Sequence, residues 1–167
     1  MGSRSDPPPM SSQKWPHSDA KCELPRVREV GLAEIAGLRR ALIDEGAAPG
    51  GADDREATVE QLFELDRRYG AAAGDRWFVA PADGEPLSCC ELLRQGGVAQ
   101  VENVGTLSHA RERGYAKAIV LAAVAAAQAD GNAPIFLTAE AADWPQLMYA
   151  NLGFETVGDI TVLRRRA

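Results

Sequence analysis

Histidine and cysteine are scarce in this chain: two histidines and three cysteines among 167 residues. His17 and His109 stand far apart, and Cys22, Cys89 and Cys90 have no metal-ligand spacing, so no metal site is expected. Adjacent Cys89 and Cys90 lie inside an apolar run and read as a buried strand pair, with a reducing, cytoplasmic compartment as the default. Long hydrophobic runs are missing as well. The alanine-rich stretch is bounded by Lys117 and Gln128 and is too short to cross a bilayer. Residues 1–19 hold Pro7-Pro8-Pro9 and several serines but no signal-peptide core, and residues 1–23 are expected to be a disordered tail. Cationic excess is absent too. The formal net charge of −6 argues against general nucleic-acid binding, while leaving room for a local basic pocket.

What remains is the composition of one soluble globular domain, 46% hydrophobic and 25% charged, expected over residues 24–167. Arg26 to Val30 alternates and predicts a short strand. Leu32, Ile35, Ala36, Leu38, Leu42 and Ile43 recur at helical spacing and predict an amphipathic helix ending near Gly46. Residues 47–52 read as a loop. Thr58, with Gln61 three residues on, predicts the capping box of a second helix that stops near Gly70. Three strands follow, over 76–80, 86–93 and 98–107. The tight turns Asp83-Gly84 and Gln95-Gly96-Gly97 make them an antiparallel meander. A helix from Tyr115 to Gln128, a strand over 134–138, a helix over 143–151 and a last strand over 154–163 complete the order. The class is α/β (α+β), a mixed sheet with helices on its faces.

Chemistry concentrates in two stretches. Arg111-Glu112-Arg113-Gly114-Tyr115-Ala116 is a basic turn opening a helix. The first helical N–H groups lack intrahelical partners, the dipole adds partial positive charge, and arginines supply fork-shaped donors, so the turn suits a phosphate. It has neither the Gly-Lys-Ser/Thr of a P-loop nor the three glycines of a dinucleotide fingerprint. The second stretch, Trp144 to Phe154, is a short helix with Pro145 in its first turn and Gly153 past its end. Within it Tyr149 can either pack or donate its hydroxyl proton.

A strand, then Arg-x-x-Gly-x-Ala opening a helix, then a strand and a helix with Tyr-x-x-Leu-Gly-Phe: this order resembles the GNAT superfamily of acyl-CoA-dependent N-acyltransferases, most clearly over Val98 to Val157. Arg111, Gly114 and Ala116 match the superfamily's pyrophosphate loop, and Tyr149 matches a position where many members keep a tyrosine. The resemblance implies a mostly antiparallel sheet whose fourth and fifth strands splay apart. It implies acetyl-CoA as cofactor, its pyrophosphate on the N–H groups of Glu112, Arg113, Gly114, Tyr115 and Ala116. The pantetheine arm would pair with Val104, Gly105, Thr106 and Leu107.

The implied reaction is direct attack by a primary amine, of a small molecule or peptide, in a ternary complex, with Tyr149 as general acid. Glu102 is the candidate base, with Glu140 and Asp143 as alternatives, and Glu102 is equally readable as a solvated strand residue. His109 reads as a loop residue beside the cofactor. Many members carry an asparagine after the fifth strand. Thr138 to Trp144 stands there instead, where Asp143 can cap the helix. No membrane or nucleic-acid partner is implied. Homodimers are common among such proteins, though this sequence has no interface signature. A non-catalytic acyl-CoA-binding module is the alternative, and the acceptor is not readable from Leu32 to Tyr69.

Overall fold

The computed structural model describes residues 24–46, 52–140, 145–161 and 163. The expected N-terminal tail, the loop over 47–51, Asp143 and Trp144 lie outside the described residues. Strands β1 (Arg28–Val30), β2 (Arg76–Ala82), β3 (Glu85–Gln95) and β4 (Val98–Thr106) form the antiparallel meander, and β5 (Ile135–Leu137) joins β4 in parallel. The β2–β3 hairpin turns on Asp83 (φ 50°) and Gly84 (φ 85°). Both are left-handed, the backbone that matches the twist of a two-residue hairpin, which is why Asp-Gly is legible as a turn.

Helices cover both faces of this mixed, mostly antiparallel sheet. On one face α3 (Tyr115–Ala129) seats Tyr115, Ile119, Ala123 and Ala127 on Phe78, Cys90, Leu92 and Val101, joined by Tyr149 from α4 (Pro145–Asn151). On the other face Ile35, in a tight turn over Leu32–Ile35, and Leu38 of α1 (Ala36–Gly46) cover Trp77, Val79 and Cys89. α2 (Ala52–Ala73) packs beside α1. Strand alternation sends Cys89 and Cys90 to opposite faces, both fully buried. Desolvation pushes both thiols up, Cys89 to about 12, so they are packing groups. Among the described residues no helix is long and apolar enough to cross a membrane.

Two expectations fail. Thr58 does not cap the second helix, which starts six residues earlier. The Thr58 hydroxyl donates instead to the carbonyl of Asp54 at 2.7 Å, one turn back, as a mid-helix threonine does. That helix also runs through Gly70 to Ala73 and stops where Gly74 adopts φ 62°. Gly70 is there for space: a Cβ on it would meet the Asp75 carboxylate at 2.2 Å, and that carboxylate accepts from the Trp77 indole. The second failure is the last strand. Residues 154–161 and 163 form no strand, and Val157, Ile160 and Leu163 are 96%, 77% and 90% exposed. These three recur every third residue, so an extended chain cannot bury them on one face.

Two departures from regularity shape the sheet near its β5 edge. β5 pairs only with Ala99 to Val101, so β4 runs on from Glu102 to Thr106 without a β5 partner. In the β3–β4 ladder Cys89 faces Gly105 and Glu91 faces Glu102. Asn103 and Val104 therefore share one opposing residue, Cys90. This is a bulge, and Asn103 takes a left-handed φ of 53° in it.

Candidate functional site

After β4 the chain makes one tight turn over Ser108–Ala110 and reverses through Arg111 to Gly114. Glu112 (φ 62°) and Gly114 (φ 81°) are both left-handed. Gly114 caps α3, and the Ala118 N–H donates to its carbonyl at 3.0 Å. The N–H groups of Tyr115, Ala116 and Lys117 therefore have no intrahelical acceptor, and they stand at the positive end of the helix dipole. A Cβ on Gly114 would touch Leu24 and Pro25 at only 3.8 and 3.9 Å, so backbone conformation rather than crowding requires glycine there. The Arg111 Nε donates to the Thr106 carbonyl at 3.2 Å, and its Nη2 donates to Glu45 of α1 at 3.3 Å. Glu45 also accepts from the N–H and the hydroxyl of Ser108, each at 3.1 Å. The Arg113 guanidinium lies over the Tyr115 ring, 5.5 Å from its centre.

A cleft of about 630 Å³ opens between this loop, the free end of β4 and α4. Val104, Gly105, Thr106, Arg111, Glu112, Gly114, Tyr115, Ala116 and Tyr149 all line it. His109 and the alternative base Glu140 lie apart from its wall, as do three residues given a catalytic or cofactor role from sequence. Leu107 packs into both cores while its N–H donates to the Leu87 carbonyl at 3.0 Å. Arg113 is turned over Tyr115. The Glu102 Oε1 accepts from Gln100 Nε2 and, at 3.1 Å, from the Thr138 hydroxyl, which ties it between β4 and the end of β5. Sequence reading missed Arg39, Leu42, Glu45, Asn103, Lys117 and Met148, which with Gly46, Ala110 and Pro145 complete the wall. Lys117 was within reach of it, one residue past the recognised loop. The α1 and β4 residues carry no local signal. Gly105 is small for a reason not read from sequence: a Cβ there would meet Leu42 of α1 at 2.9 Å.

Tyr149 is 8% exposed, and its ring meets Phe154 edge-on with centres 6.1 Å apart. Burial, with the neighbouring Cys90 and Glu102, pushes its hydroxyl up to about 12, so the phenol keeps its proton at any working pH. Beneath the β4 bulge, Glu91 is 2% exposed. Desolvation, with Asp75 and Asp66 nearby, pushes its carboxyl up to about 7 against the opposing hydrogen bond from Asn103 and the charge of Arg39. The folded state thus favours protonated Glu91. Its contribution to stability is complete below the ordinary carboxylate pKa of 4.5 and is lost as pH rises through about 7. Glu91→Gln should therefore match the wild-type chain in stability near pH 4 and exceed it by about 3 kcal/mol near pH 8. Urea melts of both proteins across that range check it. An equal gap at both ends would contradict this assignment.

Comparison with known proteins bears on this geometry. The family model described as "Acetyltransferase (GNAT) family" matches residues 41–154. No curated protein matches the sequence. Among solved structures, a candidate acetyl transferase from Pyrococcus furiosus superposes with a TM-score of 0.68 at 19% identity, covering 84% of this chain and 100% of the other. A GCN5-related N-acetyltransferase from Ralstonia eutropha JMP134 gives 0.64 at 18% identity, covering 83% and 97%. AAC(6')-Iy, solved with the bisubstrate analogue CoA-S-monomethyl-acetylneamine, gives 0.58 at 20% identity, covering 85% and 98%. At these identities the superpositions establish the shared fold.

Proposed function

The chain belongs to the GNAT acetyltransferase family, and from that premise we propose that it transfers an acetyl group from acetyl-CoA to a primary amine of a small molecule or peptide, residues 24–167 acting as one domain. The observation that carries this reading is that the residues opening α3, the edge of β4 that β5 leaves open and Tyr149 all line one cleft.

The residues present fit the cofactor. A diphosphate needs donors without partners and a backbone that lets it approach, and Gly114 to Lys117 supply both, with Arg111 and Lys117 adding positive charge. Glu45 shares Arg111 and Ser108 in this structure, and an incoming phosphate would take its place there or sit beside it. The pantetheine amides need an open strand edge, which β4 offers from Glu102 to Thr106. AAC(6')-Iy, which shares the fold, was solved with a CoA conjugate.

Acetyl-CoA, when bound, supplies the activated acyl group. The chain's own tasks are to orient it, to polarise the carbonyl and to place a proton. The Leu107 N–H donates to β3, so alternation turns the Thr106 N–H to the opposite edge, where it is a fixed donor suited to negative charge growing on the carbonyl oxygen. Tyr149 holds its proton across the cleft from it. The amine must arrive unprotonated. Glu102, tied to Thr138 and Gln100, is the carboxylate on this strand that would take its proton, and a water would have to bridge the two.

The experiment is an acceptor screen with free-thiol release as readout, across aminoglycosides, polyamines, amino acids and peptides. The expected result is acceptor-dependent thiol release above the hydrolytic background. Tight acetyl-CoA binding with no release from any acceptor would favour a non-catalytic acyl-CoA-binding module instead.

A further inference from the structure

Four elements send polar side chains to one half-buried point under the β4 bulge. Arg39 of α1 donates through Nε and Nη2 to Asp66 of α2, at 2.6 and 3.2 Å. The same Nη2 donates to the Asn103 Oδ1 at 2.7 Å. The Asn103 Nδ2 donates to the Glu91 Oε2 of β3 at 2.7 Å. Arginine can only donate, so the Asn103 Oδ1 must face Arg39; the amide has one orientation, and both its ends are held.

This clamp sits at a sensitive place. Asn103 is the left-handed residue of the bulge, a conformation that asparagine tolerates better than most residues. It lines the cleft with Arg39, immediately before Val104, Gly105 and Thr106. A slip of one residue in a strand exchanges the faces of everything beyond it. Glu91 pays for the arrangement, since its Oε1 is buried without a hydrogen-bond partner among the described residues. A site that served packing alone would favour an apolar residue there.

We propose that Asn103 is a positioning residue: held by Arg39 and Glu91, it locks the β4 bulge and so fixes which backbone groups of Val104 to Thr106 face the cofactor cleft. The inference rests on the acetyl-CoA reading above and adds a device that ties the helices of the opposite face, α1 and α2, to the cofactor strand.

Asn103→Gly tests it, because glycine keeps the left-handed backbone while removing the amide. The expected result is a folded protein whose kcat/KM for acetyl-CoA falls on the order of 10²-fold, as for an angstrom-scale misplacement. Glu91→Gln, which still accepts from the Asn103 Nδ2, should keep KM for acetyl-CoA close to wild type. A lowered melting temperature with unchanged kcat/KM in Asn103→Gly would reduce the cluster to a packing feature and overturn the proposal. If that variant does not fold, Arg39→Met, which has no donor for Oδ1, is read in the same way. A second measurement separates this proposal from the cofactor reading. Backbone NMR shifts and cross-strand contacts of Val104 to Thr106 should move in Asn103→Gly without any ligand. If they stay in place, the positioning role fails even when acetyl-CoA binds. If they move but the wild-type chain binds no acetyl-CoA, the cofactor reading fails and the lock on the bulge stands.

Discussion

Gly114→Glu should abolish acetyl-CoA binding in a chain that still folds. A ligand that binds only the folded state raises its stability, by about 4 kcal/mol at a thousandfold excess over Kd, and the wild-type melting temperature should climb accordingly. The variant should show no climb at millimolar acetyl-CoA. Two physical effects act together. The φ of 81° at Gly114 lies where side-chain-bearing residues are strained, so the cap of α3 shifts. The new carboxylate also stands beside the N–H groups of Tyr115 to Lys117, where it occupies the anion's donors and repels the anion itself. Space does not forbid the substitution, because the nearest atoms to a Cβ are 3.8 Å away, so loss of binding need not mean loss of fold. Gly114→Ala separates the effects: it carries the strain without the charge and should retain weakened binding. An undiminished shift in Gly114→Glu would remove this loop from the cofactor site.

Tyr149→Phe should lower kcat on the order of 10²-fold and leave acetyl-CoA affinity within about twofold. The size follows from the hydroxyl's environment. Burial holds its pKa at about 12, whereas an ordinary thiol loses its proton near 8.5. Complete transfer from Tyr149 to a departing thiolate is therefore uphill by about 5 kcal/mol. The phenol acts as a hydrogen-bond donor while negative charge builds on sulfur, and an ammonium proton from the reacting amine is the better final source. The rate should consequently show no fall attributable to Tyr149 anywhere below about pH 10. Phenylalanine keeps the ring and its edge-on contact with Phe154, so the fold is preserved and the hydroxyl alone is tested. Steady-state kinetics beside calorimetric binding gives the answer, and unchanged turnover would take Tyr149 out of the mechanism.

The parts of this molecule legible from sequence are those whose signals are local. Asp83-Gly84 specifies a turn by its own backbone needs, and the spacing of Ile35, Leu38 and Leu42 shows one helical face turned to the sheet. Arg111 to Ala116 are contiguous, so the loop could be read whole. Thr58 misled because a hydroxyl that can cap a helix can equally bond one turn back, and only the start of α2 decides between them. The strand expected after Phe154 fails for want of alternation: Val157, Ile160 and Leu163 fall every third residue. The wall contributed by Arg39, Leu42 and Glu45, and the Arg39–Asp66–Asn103–Glu91 cluster, were not legible at all. Their members are up to 64 residues apart, and each alone reads as an ordinary surface or strand residue.

The brief pairing of β5 has a consequence for how the chain assembles. Strands β1 to β4 each pair with a sequence neighbour, though α1 and α2 separate β1 from β2, and the β2–β3–β4 hairpins close short loops at little entropic cost. β5 can dock only after α3 has crossed the sheet, and three residue pairs hold it there. The meander and α3 are therefore expected to form the early, robust unit, with β5 and α4 the last to settle and the first to loosen in hydrogen exchange. Tyr149 belongs to the late half and the Arg111–Ala116 loop to the early half. A cofactor lying between them would act as a clasp, slowing partial unfolding and proteolytic cutting near β5 long before it altered the stability of the meander.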